Sequence, residues 1–314
     1  MKTPPKRSVL LVAILLMTVF LSFVSIAMED TGNIIIIPIE EKIGLAPHAE
    51  GYLSDWAYQD PSISVRIWTG REFDTNLMVA YVKLANASQI RTEMASSYRS
   101  TNMALGATIA KRVNAVLAIN GDYFSAKNNV GYVARQGTVY RTRCDGRHDV
   151  LIIDENGDMH ILQAATNEDV ENIDYTPING FTFGPGLIVN GEKQGDFPDL
   201  KNAPCVPAQR MCLAQVGPLE YLCISSEGPE DPGSVGFTLE QFAEVVYNLG
   251  NTSHEGVEIG PILNAYNLDG GSSATMVFQN KKINAPNNPK KRPLNDIVWF
   301  GTAYQPEEKP QEEK

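Results

Sequence analysis

Short apolar runs dominate this chain, and almost every one is closed by glycine, asparagine or proline. A run too short for a helix and bounded by turn-forming residues reads as a strand. "SISVRIW" (62–68), "LMVAYVKLA" (77–85), "AVLAI" (115–119), "AQRMCLAQ" (208–215) and "LEYLCIS" (219–225) fit that reading. The first alternates apolar with polar residues, as a half-buried strand does. "DVLIIDENGDMHIL" and "GLIVNGEKQ" read as hairpins turning at Asn156-Gly157 and Asn190-Gly191. Only two segments carry a helical pattern. In "NMALGATIAKRVN" (102–114), Met103, Ala107, Ile109 and Ala110 share a face; in "TLEQFAEVVYNLG" (238–250), Thr238 and Gln241 form a capping box and Gly250 a terminator. "NDIVWFGTAY" (295–304) is the last strand. Strict strand–helix alternation is absent, so the expected class is α+β: a mixed or antiparallel β-sheet core with packed helices.

Composition sets the outer limits. The 314 residues are 43% hydrophobic, enough for a sizeable core. A net charge of −11 argues against nucleic acid as a partner, while leaving room for one anionic group in a local pocket. Lys2, Lys6 and Arg7 precede a charge-free run of 21 residues from Ser8 to Met28, long enough to cross a bilayer as a helix. The run reads either as an uncleaved anchor or as a signal peptide cleaved near Ser25-Ile26-Ala27. Either way residues 29–314 are expected outside the cytoplasm, as a single-pass membrane protein or as a secreted one. The organisation is then an anchor or signal (1–28), a stalk (29–60), one exported domain (61–305) and a disordered acidic tail (306–314). Cys144, Cys205, Cys212 and Cys223 lack the spacing of a zinc site, so in an oxidising compartment at least one disulfide is expected. Cys212 and Cys223 flank a hairpin turn at Gly217-Pro218 and could face each other across it.

Two stretches break the core pattern. "AVLAINGDYF" and "AYNLDGGSSATMVF" each run from a buried strand through asparagine to a carboxylate beside glycine. Asn-Gly and Asp-Gly are ordinary turn signals, so "NGDYF" alone reads as a plain turn. A simple turn does not need two glycines followed by two serines. Gly270 and Gly271 would free the main chain, successive N–H groups would form an anion-holding concavity, and Ser272 and Ser273 would add hydroxyl donors. Asp269, at the strand end, would face whatever the turn holds. "DENGD" (154–158) resembles the start of a calcium loop, but its glycine comes two places early and Ala165 stands where the closing glutamate belongs, so it reads as a hairpin turn. "NAS" (86–88) and "NTS" (251–253) match the glycosylation sequon, which matters only in a glycosylating host.

"AINGDYF", "FGPGLIVNG", "FTLEQFAEVV" and "NLDGGSSATMVF", in that order, resemble the phosphodiester glycosidase family over roughly residues 75–305. Its members include N-acetylglucosamine-1-phosphodiester alpha-N-acetylglucosaminidase-like enzymes and bacterial exopolysaccharide-related proteins. The resemblance implies a hydrolase that cuts the glycosidic bond of a sugar-1-phosphodiester in an envelope or host glycan. The alternative is a non-catalytic or transferring module that binds phosphoglycan during envelope assembly. The resemblance implies Asp269 and Asp122 as catalytic residues, with Asp269 the stronger because the family accepts small residues at the position of Asp122. It implies a substrate pocket from Asn120, Gly121, Arg210, Thr238, Gly270, Gly271, Ser272 and Ser273. Around Arg210 the chain departs from the family's Asn-Pro-Arg-Thr-like stretch: the Asn-Pro pair is absent and Met211 replaces the threonine. No cofactor is implied, and a divalent metal is left open.

Overall fold

The longest element is a hairpin of two ten-residue strands, Ile63–Glu72 and Thr75–Leu84. It turns at Phe73-Asp74, both at positive φ (42° and 54°), the mirror-image turn whose twist matches that of the flanking strands. The hairpin anchors a nine-stranded sheet. One way from it come Glu220–Ser226, Met211–Gly217, Asn264–Leu268, Gly186–Val189 and Glu192–Lys193; the other way come Ala57–Gln59 and Tyr52–Ser54. This computed structural model describes residues 32–124, 129–197, 205–288 and 291–307. Ile34–Gln305 forms one unit, and the other, Met1–Asn33 with Pro306–Lys314, is described only at 32–33 and 306–307. The expected N-terminal helix (1–28) and residues 308–314 of the expected tail lie outside the described residues. Among the described residues no helix is long and apolar enough to cross a membrane.

Side-chain alternation gives the large sheet two apolar faces. On one face Cys212, Ala214, Leu222 and Ile224 meet the helix Leu239–Asn248, which buries Leu239, Phe242, Ala243 and Val246. These lie three and four residues apart, one stripe of a helix. Thr238 caps it: its side chain accepts from Gln241 N–H at 3.2 Å while Gln241 Oε1 accepts from Thr238 N–H at 3.0 Å. On the other face Val65, Leu213 and Tyr266 pack against two five-stranded sheets. The first runs Lys281–Lys282, Met276–Phe278, Leu117–Asn120, Asp296–Phe300, Ile90–Met94, and its far side is covered by the helix Gly106–Arg112. The second runs Met159–Leu162, Val150–Asp154, Pro177–Phe181, Gly131–Arg135, Thr138–Arg143.

Some expectations stand, among them the antiparallel core and the hairpin turn at "DENGD", and others change. The protein is mostly β-sheet, and each pairing within these three sheets is antiparallel. The α-helices among the described residues are Gly106–Arg112, Asn167–Glu171 and Leu239–Asn248. The first is shorter than its apolar pattern suggests, because Leu105 is extended and Asn114 has a φ of 59°, leaving Met103 outside it and 45% exposed. Residues 52–59, placed in a stalk by sequence, form the last two strands at one end of the large sheet, and Tyr58 is fully buried. All four cysteines are free thiols, which corrects the disulfide expectation. In the register of their hairpin Cys212 faces Ile224 and Cys223 faces Leu213. That one-residue offset sends the two thiols to opposite faces of the sheet. "DENGD" is a hairpin turn: Asp154 Oδ1 accepts from the amides of Asn156 and Asp158 (2.8 and 2.9 Å).

Candidate active site

The site lies where three strands of the first small sheet end or begin. Leu117–Asn120 sits between Met276–Phe278 and Asp296–Phe300, with Ile119 opposite Met276 and Asn120 opposite Ile297. This register brings the "NGD" turn, the "DGGSS" turn and the start of the last strand together.

Asn120 ties the turns to each other. Its side-chain amide donates to Asp269 O at 2.7 Å and accepts from Thr275 N–H at 2.9 Å, and the residue is 1% exposed. Both ends of its amide are used inside the protein, so it positions the strand end that carries Asp269. The glycines answer to different needs. A Cβ on Gly121 would lie 2.4 Å from Asp296 Oδ1, so glycine there makes room for a carboxyl group. A Cβ on Gly270 would lie 2.6 Å from Gln209 O. Gly271 has open space around it but a φ of 56°, so glycine there is conformational. The expected nest of free amides is not formed. Gly270 N–H bonds the Asp269 carboxylate, Gly271 N–H bonds Gln209 O at 2.8 Å, and Ser273 N–H bonds Gly270 O at 3.1 Å.

Three carboxylates line the resulting pocket, with Asn120, Ser273 and Arg292. Asp122 is held at both oxygens, by Arg135 Nη2 at 2.5 Å and by Thr182 N–H at 2.8 Å. Asp296 Oδ2 accepts from Arg135 Nε at 2.8 Å, whereas its Oδ1 has no partner among the described residues. Arg135 is itself buried, over the ring of Phe181 at 4.2 Å, and also donates to the carbonyls of Ala134 and Gly180. One guanidinium neutralises one of two buried carboxylates. Burial therefore pushes Asp296 up to about 7 in spite of Arg135, with Asp122 and Asp269 adding repulsion. Asp269 is half-buried. Desolvation raises its pKa, while the Ser273 hydroxyl, the Arg292 charge and the Gly270 amide oppose the rise. Arg292 is exposed, with its guanidinium 5.7 Å from the centre of the Tyr123 ring. The pocket is narrow in this conformation, about 10 Å³, room for one water.

Of the other expected residues, Ser273 lines the pocket, and Arg210, Thr238 and Ser272 lie apart from it. The main chain of Arg210 passes beside Gly270, but its side chain is buried and donates to Phe237 O (3.0 Å) and Val206 O (2.8 Å). Burial lowers its pKa to about 10. Thr238 is engaged in its helix cap. Ser272 is half-buried in the turn, and Ser273 is buried against Asp269. Among the described residues no group of His, Cys, Asp and Glu is arranged to hold a metal. Sequence reasoning missed Asp296, Arg135 and Arg292. A lone carboxylate opening "DIVWF" and an arginine inside "GYVARQG" were the available signals, since a charge inside an apolar strand calls for a buried partner.

A mostly antiparallel β-protein with a carboxylate-lined pocket at its strand ends is an architecture suited to glycoside chemistry. Residues 113–300 match the phosphodiester glycosidase family, and the chain belongs to that family. The fold is similar to the catalytic domain of zebrafish N-acetylglucosamine-1-phosphodiester alpha-N-acetylglucosaminidase, auto-inhibited by its pro-peptide, with a TM-score of 0.61 and 15% identity over 88% of this chain and 99% of that one. A hypothetical protein from Synechocystis aligns with a TM-score of 0.48 and 16% identity over 76% of this chain and 62% of that one. No curated protein matches.

Proposed function

We propose that this chain acts outside the cytoplasm and hydrolyses the glycosidic bond of a sugar-1-phosphodiester in an envelope or host glycan. The observation that carries the reading is the presence of Asp269 and Arg292 in one pocket, near enough for the arginine's charge to act on the carboxylate, in a chain belonging to the phosphodiester glycosidases. A phosphate monoester leaves the anomeric carbon with little need for a proton. The site has to hold that phosphate and meet the positive charge developing on the sugar. Arg292 is the arginine this pocket presents to solvent, and its planar fork suits a phosphate. Asp269 faces the same space and serves as nucleophile, base or cation stabiliser. Asp296, pushed towards neutrality, can hold a proton on the oxygen that lacks a partner. Export is supported by the basic flank and charge-free run at the N-terminus.

Release of free sugar from N-acetylglucosamine-1-phosphodiesters and related glycosyl phosphodiesters tests the reading. The wild type is expected to turn over at least one of them. Asp269→Asn is expected to fold, by circular dichroism and melting, and to lose activity by a factor on the order of 10² or more. A folded Asp269→Asn with near-normal turnover would end the assignment of Asp269; a wild type inert towards every glycosyl phosphodiester would end the activity itself.

A further inference from the structure

A second concavity borders the site from the other side of Arg135. It is an open groove of about 920 Å³, within the range of ligand sites. Two tyrosines share its lining with the charged side chains of Glu40, Glu41, Lys42, Arg91 and Glu93. Tyr98 is half-buried and Tyr140 is 39% exposed, and their ring centres lie 4.9 Å apart. Between and around them stand exposed hydroxyl side chains, Ser96, Ser97 and Thr138. The rings also lead inward. Tyr98 stacks on Phe124 at 5.8 Å, and the Arg135 guanidinium lies 5.2 Å from the Phe124 ring centre. Arg135 lines the floor of the groove while holding Asp122 and Asp296, which line the acidic pocket.

We propose that this groove is a binding site for a neutral glycan chain, the part of the substrate beyond the bond that is cut. The proposal rests on the phosphodiester glycosidase reading for its link to turnover, but the groove itself can be tested by binding alone. A pyranose ring has an apolar C–H face and a rim of hydroxyls. It needs a flat aromatic surface and nearby hydrogen-bonding groups together, and Tyr98 and Tyr140 with Ser96, Ser97 and Thr138 supply both. Aromatic side chains are rigid and broad, so little conformational freedom is lost on stacking. A polyanionic chain is disfavoured by the net charge of −11. Buried Phe124 and Arg135 stand between the groove and the acidic pocket, and their closeness sets the order: sugar to be released beside Asp269, glycan beyond it along the tyrosines.

Tyr140→Ala is the informative variant, because Tyr140 is exposed and outside the acidic pocket. Two substrates are compared, an N-acetylglucosamine phosphodiester of methanol and the same phosphodiester carrying a neutral tetrasaccharide. The wild type is expected to use the longer one with at least tenfold higher kcat/KM. Tyr140→Ala is expected to lose that advantage while keeping its rate on the shorter one. Equal use of both by the wild type, or equal loss on both in the variant, overturns the proposal. Titration with neutral tetrasaccharides of glucose, mannose and N-acetylglucosamine, followed by saturation-transfer NMR, gives an arm independent of turnover. Binding to the wild type that Tyr140→Ala abolishes supports the site even if no phosphodiester is cleaved. Binding of none of the three to the wild type overturns it.

Discussion

The two glycine turns look alike in sequence and end up with opposite uses. Each runs from a buried strand through asparagine to a carboxylate beside glycine. In the "NGD" turn the carboxylate is consumed: Asp122 is bonded at both oxygens, and Gly121 clears space for a second buried acid. In the "DGG" turn Asp269 stays half-buried, and the cation beside it is the exposed Arg292. The role of an aspartate in such a turn is therefore set by which arginine reaches it. A fully buried arginine turns it into scaffold; an exposed one leaves it able to meet a ligand.

Removing the buried arginine should have the largest effect. Arg135→Met leaves Asp122 and Asp296 buried without their cation. The expected loss is about 3–5 kcal/mol of stability, a fall in melting temperature on the order of 10 °C. A triple variant that also carries Asp122→Asn and Asp296→Asn should recover much of this, since no charge is then stranded. If Arg135→Met melts with the wild type, the scaffold role of the first turn is wrong.

A smaller effect concerns pH and the acid between the turns. The folded-state pKa of Asp296 is raised from the ordinary 3.8 to about 7. Between these two values the folded protein keeps a proton that the unfolded chain has lost. Stability linked to this group is therefore greatest below about pH 4, falls as pH rises towards 7, and levels off above it. Asp296→Asn should lack that fall. Urea unfolding at pH 5 and pH 8 should show the wild type losing on the order of 2 kcal/mol more than the variant across the interval. Equal losses in both proteins would mean that Asp296 is ionised throughout.

Signals that are local in the chain were legible in it. The hairpins at Asn156-Gly157 and Asn190-Gly191, the Thr238–Gln241 cap and the strand–turn–strand form of "NLDGGSSATMVF" follow from neighbouring residues. The partners of the site were not legible. Arg135 and Asp296 are 161 positions apart, and nothing local marks them as a pair. The thiols of Cys212 and Cys223 looked bridgeable because spacing shows a hairpin but not its register, and register decides the face. The reason for the glycines was also hidden. Sequence offered free amides for an anion, whereas Gly121 and Gly270 are required by the close approach of Asp296 and Gln209.

The smallest expected effect separates the two glycines of the second turn. Gly271 has open space where a side chain would go, so its only demand is a φ of 56°. Alanine there meets no neighbour and costs about 1 kcal/mol of backbone strain. Asparagine tolerates that region better and should recover most of the loss. Gly270→Ala is different, because its Cβ would press against Gln209 O at 2.6 Å and displace the strand end that presents Asp269. Melting of Gly271→Ala, Gly271→Asn and Gly270→Ala should rank the last as clearly the least stable, and it alone should lose activity beyond its loss of folded protein. If Gly271→Asn is no better than Gly271→Ala, conformation is not the reason for glycine at that position. A ligand that needs the bare main chain would then be the better account, as the sequence first suggested.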